Sequence, residues 1–218
     1  MTYIDYICGK INAEKPGKPI YTSKMAEGLA EAFGLNRKAA AAATSVAVKR
    51  IMDGKIIEDL RLYQKGIYYR TVKTPFGELG VDTEQLIAEK YILPDLGYDT
   101  GAMFLYHIGL TTQMPRERVI ATNAATDGTR TDEKLGVIIR PPKVPVNAEN
   151  KYYLQLLDAL DGLDKAPVDA ETPYIVLAHH IRKSDLSYEK LLYYADHHYS
   201  KNTILRLAHT AQEGGEFS

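Results

Sequence analysis

The four residues Phe33-Gly34-Leu35-Asn36 leave a chain of this kind few choices of local fold. Before them, Met25, Leu29, Ala32 and Phe33 recur at the spacing of one helix face, and Thr22 or Ser23 can cap that helix. Gly34 readily takes the left-handed conformation that ends a helix, and Asn36 is a good cap for the next one. The second of these helices runs through five consecutive alanines to about Asp53, where Gly54 closes it. A break this tight sets the later helix across the earlier one rather than end to end with it.

The flanking segments complete a small domain. Tyr3, Ile4, Ile7, Cys8 and Ile11 recur at helical spacing, and Lys15-Pro16-Gly17-Lys18-Pro19 stops that helix. Ile20-Tyr21 is a short extended lead-in. Residues 55–60 and 66–71 read as paired strands joined by a polar turn that holds Arg61 and Lys65. Three helices followed by a two-stranded hairpin, within residues 1–75, is the element order of a winged helix-turn-helix.

That order predicts where DNA contacts fall. Arg37 and Lys38 stand at the N-terminal end of the third helix, the part that usually meets base edges. The small residues that follow, alanines 39–43 with Thr44 and Ser45, let a helix backbone come close to a duplex; the alanine run also suits close packing of one helix on another. Lys49 and Arg50 near the helix end, and Arg61 and Lys65 in the hairpin turn, are placed for phosphates. Charge supports the same assignment. Residues 1–75 carry 13 Lys and Arg against 7 Asp and Glu, or +6, while the rest carry 14 against 21, or −7. One part of the chain attracts a polyanion and the other repels it.

Residues 76–218 read as a second domain of helices with a small sheet, so the whole is α+β: an N-terminal winged helix-turn-helix and a mixed helix and small-sheet C-terminal domain. Asp82 caps a helix that carries Leu86, Ile87 and Tyr91 and stops at Pro94; another follows Asp99-Thr100 and reaches Gly109. Residues 118–122 and 135–140 are β-rich, with a polar loop between them. Pro141, Pro142 and Pro145 keep the next segment extended and out of a central strand. Helices are expected at 152–163, 188–197 and 201–210.

Two groups of residues resemble the AbiEi-type antitoxins of type IV abortive-infection toxin–antitoxin systems. One is Val48-Lys49-Arg50-Ile51-Met52-Asp53-Gly54-Lys55-Ile56 with Lys65-Gly66-Ile67-Tyr68-Tyr69. The other is Thr100-Gly101-Ala102 with Gly109-Leu110-Thr111-Thr112-Gln113-Met114-Pro115 and the Arg118-Val119-Ile120 strand. The similarity spans about 20–207. It implies a transcriptional autoregulator that binds double-stranded operator DNA at inverted repeats through its winged helix, with Arg37, Lys38, Thr44, Lys49, Arg50, Arg61 and Lys65 as the residues carried over. It also implies that the second domain helps neutralise a nucleotidyltransferase-like toxin, often without a stable complex. The net −7 of that domain departs from the family's basic pattern and argues against a nucleic-acid role for it.

Other chemistry is thinly represented. Asp95 followed by Asp132, Glu133 and Lys134 is the loose acidic pair plus lysine of a metal-dependent nuclease, although 129–134 reads as loop where such a site wants a strand. His179-His180 and His197-His198 are adjacent pairs whose side chains are expected to point apart, so one of each pair at most can join a site. Cys8 has no placed histidine partner, and as the only cysteine it permits no internal disulfide, which fits a reducing cytoplasm. No glycine-rich nucleotide loop occurs and no cofactor is expected. No apolar run approaches the roughly 18 residues of a membrane span, so no membrane partner is expected. Besides the DNA-binding regulator, two alternatives stand: a metal-dependent nuclease, and a regulator that senses a small ligand between the Tyr-rich helices 151–163 and 188–199.

Overall fold

In the computed structural model, which describes residues 1–215, α1 (Tyr3–Ala13) opens on a reciprocal cap. Thr2 Oγ1 accepts from the Asp5 backbone at 3.2 Å, and the Asp5 carboxylate accepts from the Thr2 backbone at 2.8 Å. After β1 (Ile20–Tyr21) come α2 (Thr22–Phe33) and α3 (Arg37–Asp53). Gly34 sits at φ 65°, a conformation that costs a residue with a side chain more than it costs glycine. Asn36 Oδ1 then accepts from the Ala39 backbone at 2.9 Å and starts α3.

Helix α3 buries one stripe, Ala40, Thr44, Ala47, Val48 and Ile51. Ala47, Val48 and Ile51 meet Ile7 and Ile11 of α1, Met25 of α2, and Ile20, Ile57 and Leu60 in a single core. The strands β2 (Leu60–Gln64) and β3 (Ile67–Arg70) pair antiparallel, and β1 joins the free side of β3, giving the order β1-β3-β2.

The strand expected over 55–60 is not formed. The Gly54 and Ile56 N–H groups bond back to Arg50 and Ile51 carbonyls at 2.9 and 3.0 Å, closing α3. Donors used on a helix end are lost to a sheet ladder. Lys55 takes φ 49°, Ile57 plugs the core from the turn, and the strand starts only at Leu60. The hairpin turn is therefore Lys65-Gly66 alone, and Arg61 lies inside β2 opposite Tyr69.

A second small hairpin, β4 (Lys73–Thr74) with β5 (Gly77–Glu78), follows. Leu79 is tied back to Val72 and Thr71, and Asp82 to Gly17. The chain accordingly divides into Met1–Leu86 and Ile87–Ser218, so the break expected after Pro75 falls inside the first unit. Helix α4 (Thr83–Ile87) runs on into a π-helical turn over Ala88–Ile92.

The second unit contains a four-stranded mixed sheet, β6 (Gly97–Thr100), β7 (Arg118–Thr122), β8 (Arg130–Asp132) and β9 (Val137–Arg140), in the order β6-β7-β9-β8. β7 and β9 are parallel; the other pairs are antiparallel. Helix α5 (Ala102–His107) and the helices α6 (Lys151–Asp161), α7 (Pro173–Lys183), α8 (Tyr188–His198) and α9 (Lys201–Glu213) share a core of Leu156, Leu157, Leu160, Leu177, Ile181, Leu191 and Leu207. The architecture is thus mixed α and β with small sheets. Among the described residues no helix is long and apolar enough to cross a membrane.

Candidate nucleic-acid interface

The stripe of α3 opposite its buried face carries Lys38, Ala41, Ala42, Ser45 and Lys49, all exposed. At 100° per residue, Lys38, Ala42, Ser45 and Lys49 fall within an arc of roughly 60°, and at 1.5 Å per residue Lys38 and Lys49 stand about 16 Å apart along the axis. The face between them is flat, because only methyl groups and one hydroxyl project from it. Ser45 Oγ donates to the Ala41 carbonyl at 2.9 Å, which folds the hydroxyl onto the helix. The alanine run is divided between two environments: Ala40 is fully buried in the interior, while Ala39, Ala41 and Ala42 face outward.

Arg37 and Lys38 occupy the first turn of α3, which contains no acidic residue. A helix N-terminus carries a partial positive charge, so cations there raise the energy of the folded chain by about 0.3–1 kcal/mol each. Neither they nor Lys49, Arg50 and Lys65 form an ion pair among the described residues, although several acidic side chains lie on neighbouring elements. Five cations without carboxylate partners, two of them set against a helix dipole, concentrate positive potential at the two ends of α3 and at the hairpin tip.

Three of the expected contact residues stand differently. Thr44 is 1% exposed, on the stripe that packs inward, so it touches no external partner. Arg61 does not reach from the hairpin turn: its guanidinium donates to the Glu58 and Leu60 carbonyls at 2.8 and 3.1 Å and to the Glu78 carboxylate at 3.1 Å. That carboxylate neutralises it at the surface. Arg50 lies to one side of the flat stripe, beside a shallow apolar groove formed by Tyr3, Ile4, Ala43 and Val46.

Of the acidic residues singled out for metal chemistry, Asp132 is otherwise engaged. Asp132 ends β8, where a loop was expected, and its carboxylate accepts from Lys90 Nζ and Tyr91 Oη, both at 2.7 Å. Burial pushes the Asp132 carboxyl up, but these two donors and the Leu135 N–H outweigh burial and hold it below the usual carboxylate range. Among the described residues no group of three or more His, Cys, Asp or Glu side chains is gathered closely enough to hold a metal ion. Cys8 is half-buried in α1, and burial, aided by Asp5, pushes its thiol up, which disfavours the nucleophilic thiolate.

Sequence reasoning missed helix α7 and, with it, two side-chain groupings of the second unit. Asp158 is buried in the apolar interior and accepts from Tyr98 Oη and Tyr199 Oη, each at 2.9 Å, from Thr100 Oγ1 at 3.3 Å and from the Arg140 guanidinium. Its position four residues after Leu154, on the leucine stripe of α6, was the available signal. The second grouping lines an open cleft of about 390 Å³ between α5, α6 and α7 and includes both His179 and His180. Adjacent helical residues diverge by 100°, yet a cleft that straddles the helix edge receives both. On the Tyr-rich helices, Tyr152 and Tyr193 are exposed and Tyr199 is spent on Asp158.

Compared with known proteins, the chain matches no family model and no curated sequence.

Proposed function

We propose that the chain is a sequence-specific DNA-binding regulator whose first unit works as a winged helix-turn-helix. In this reading α2 and α3 are the helix-turn-helix, α3 enters the major groove, and the β2–β3 hairpin with Lys65 at its tip is the wing. The observation that carries it is the exposed stripe of α3, flat in its middle and bounded by Lys38 at one end and Lys49 at the other, with Arg37 beside Lys38 in the first turn. A major groove about 12 Å wide admits such a helix, the alanines permit close approach, and phosphates supply the counter-charge that the protein does not. The element order helix, strand, helix, helix, hairpin, with sheet order β1-β3-β2, supports the same reading.

The resemblance to AbiEi-type antitoxins extends the proposal. The protein binds its own promoter and represses by occupancy, and the second unit counters a nucleotidyltransferase-like toxin without a lasting complex. No chemical step is assigned to it.

The test is fluorescence anisotropy of the full chain on the DNA upstream of its own gene and on a scrambled duplex, over a salt series. Selective binding that weakens steeply with salt is expected. Arg37→Ala with Lys38→Ala should cost about 1–3 kcal/mol on the operator and less on scrambled DNA, while Lys49→Ala with Arg50→Ala should weaken both duplexes alike. Equal losses on the two duplexes for both pairs would remove the base-reading role of the α3 N-terminus. No preference for the upstream DNA would remove the regulator itself.

A further inference from the structure

The open cleft between α5, α6 and α7 collects an unusual set of side chains, with His180 half-buried at its wall and His107, His179 and Lys183 exposed at its rim. His107 from α5 and His179, His180 and Lys183 from α7 line it, and no carboxylate does. This occurs in a unit where Asp and Glu outnumber Lys and Arg, 18 to 14. Lys183 makes no ion pair among the described residues. The basic residues in the last turn of α7, and His107 in the last turn of α5, partly complement the dipoles of their own helices, but no dipole requires the two groups to converge on one space. Phe104, Ile108 and Val176 supply an apolar side to the same space.

We infer that this cleft binds a small organic anion, its charged oxygens held by Lys183 and the imidazoles and its short carbon portion resting on Phe104, Ile108 and Val176. The volume of about 390 Å³ lies in the range of small-molecule sites. The His180 ring meets Phe104 edge-on with centroids 5.4 Å apart, so it is held by the wall of the cleft rather than swinging in water. Burial, then Lys183 and His179, push its imidazole below the ordinary value, so at neutral pH it is uncharged and needs no counter-ion. An anion seated beside it reverses that balance and draws a proton on. The titratable and charged groups that face it are His107 from α5 and His179 and Lys183 from α7; α6 offers only the uncharged Gln155. Carboxylates and phosphate esters share the recognising chemistry.

The measurement is a histidine-ring NMR titration of the full chain with butyrate and, separately, with inorganic phosphate. His107, His179 and His180 should shift saturably while His197, His198 and His209 stay in place as internal controls. The His180 titration midpoint should rise at saturation. Lys183→Ala, a surface change, should weaken binding about tenfold, the worth of one charge-assisted hydrogen bond. Tighter binding of butyrate assigns a carboxylate ligand, and tighter binding of phosphate assigns a phosphate ester. Uniform, unsaturable shifts of all six histidines, or undiminished binding by the Lys183→Ala chain, overturn the site.

Discussion

Thr44 brings a hydroxyl into the interior of the first unit and finds nothing there to bond it. Its Oγ1 has no hydrogen-bond partner among the described residues, whereas Ser45 and Thr210, also in helices, each donate to the carbonyl four residues back, at 2.9 and 2.8 Å. A buried hydroxyl without a partner costs about 1–3 kcal/mol of desolvation, and valine has nearly the same shape. Thr44→Val is therefore expected to leave operator affinity unchanged and to raise unfolding stability by about 1 kcal/mol, read as a higher urea midpoint at constant slope. A drop in stability, or a lost operator preference, would show that the hydroxyl has a partner after all. In the sequence Thr44 and Ser45 are equivalent small polar neighbours of an alanine run. Only the phase of the buried stripe, set by Ala40, Ala47 and Ile51, separates them.

Elements were legible where helical period, cap and breaker agreed, and illegible where one residue type served two purposes. Asn36, Gly34 and the leucine and isoleucine spacing marked α1 to α3 because each pointed to the same boundary. Ile56-Ile57 imitated a strand, although the Ile56 amide was already committed to the end of α3. Strand β6 was hidden because Asp99-Thr100 read as the lead-in to a helix. In the fold a Cβ at Gly97 would lie 2.3 Å from the Ala121 carbonyl and 2.5 Å from that of Tyr91, so glycine is what lets β6 close against its neighbours. The candidate cations of α3 were legible by position, but the capture of Arg61 by Glu78 was not, because it depends on the β4–β5 hairpin. The Asp158 knot acts at this scale too, since it joins β6, β9, α6 and the end of α8. Burial pushes the Tyr98 and Tyr199 phenols far up, so both remain donors at any working pH. Asp158→Ala strands the Arg140 charge and three hydroxyls, and is expected to cost about 3 kcal/mol in chemical denaturation. A loss below about 1 kcal/mol would mean that the knot adds little beyond packing.

At the scale of the whole chain the net −1 is a near-cancellation of two dissimilar bodies. Residues 1–86 hold 13 basic and 10 acidic side chains, and residues 87–218 hold 14 and 18. The first unit has its own core, built on Ile7, Ile11, Leu60, Val48 and Ile51, which contains no residue from beyond Leu86. A polypeptide of residues 1–86 is therefore expected to unfold as one cooperative transition. If DNA contact belongs to α3 and the β2–β3 hairpin, removing a body of net negative charge lifts a repulsive background without deleting a phosphate contact. The short polypeptide should then bind scrambled DNA at least as tightly as the full chain at low salt. Its log–log salt slope should agree with that of the full chain to within about one unit, since that slope counts phosphates neutralised rather than net charge. A folded 1–86 that binds DNA distinctly more weakly, with a slope shallower by two units or more, would instead place part of the DNA contact in the second unit, against the charge it carries.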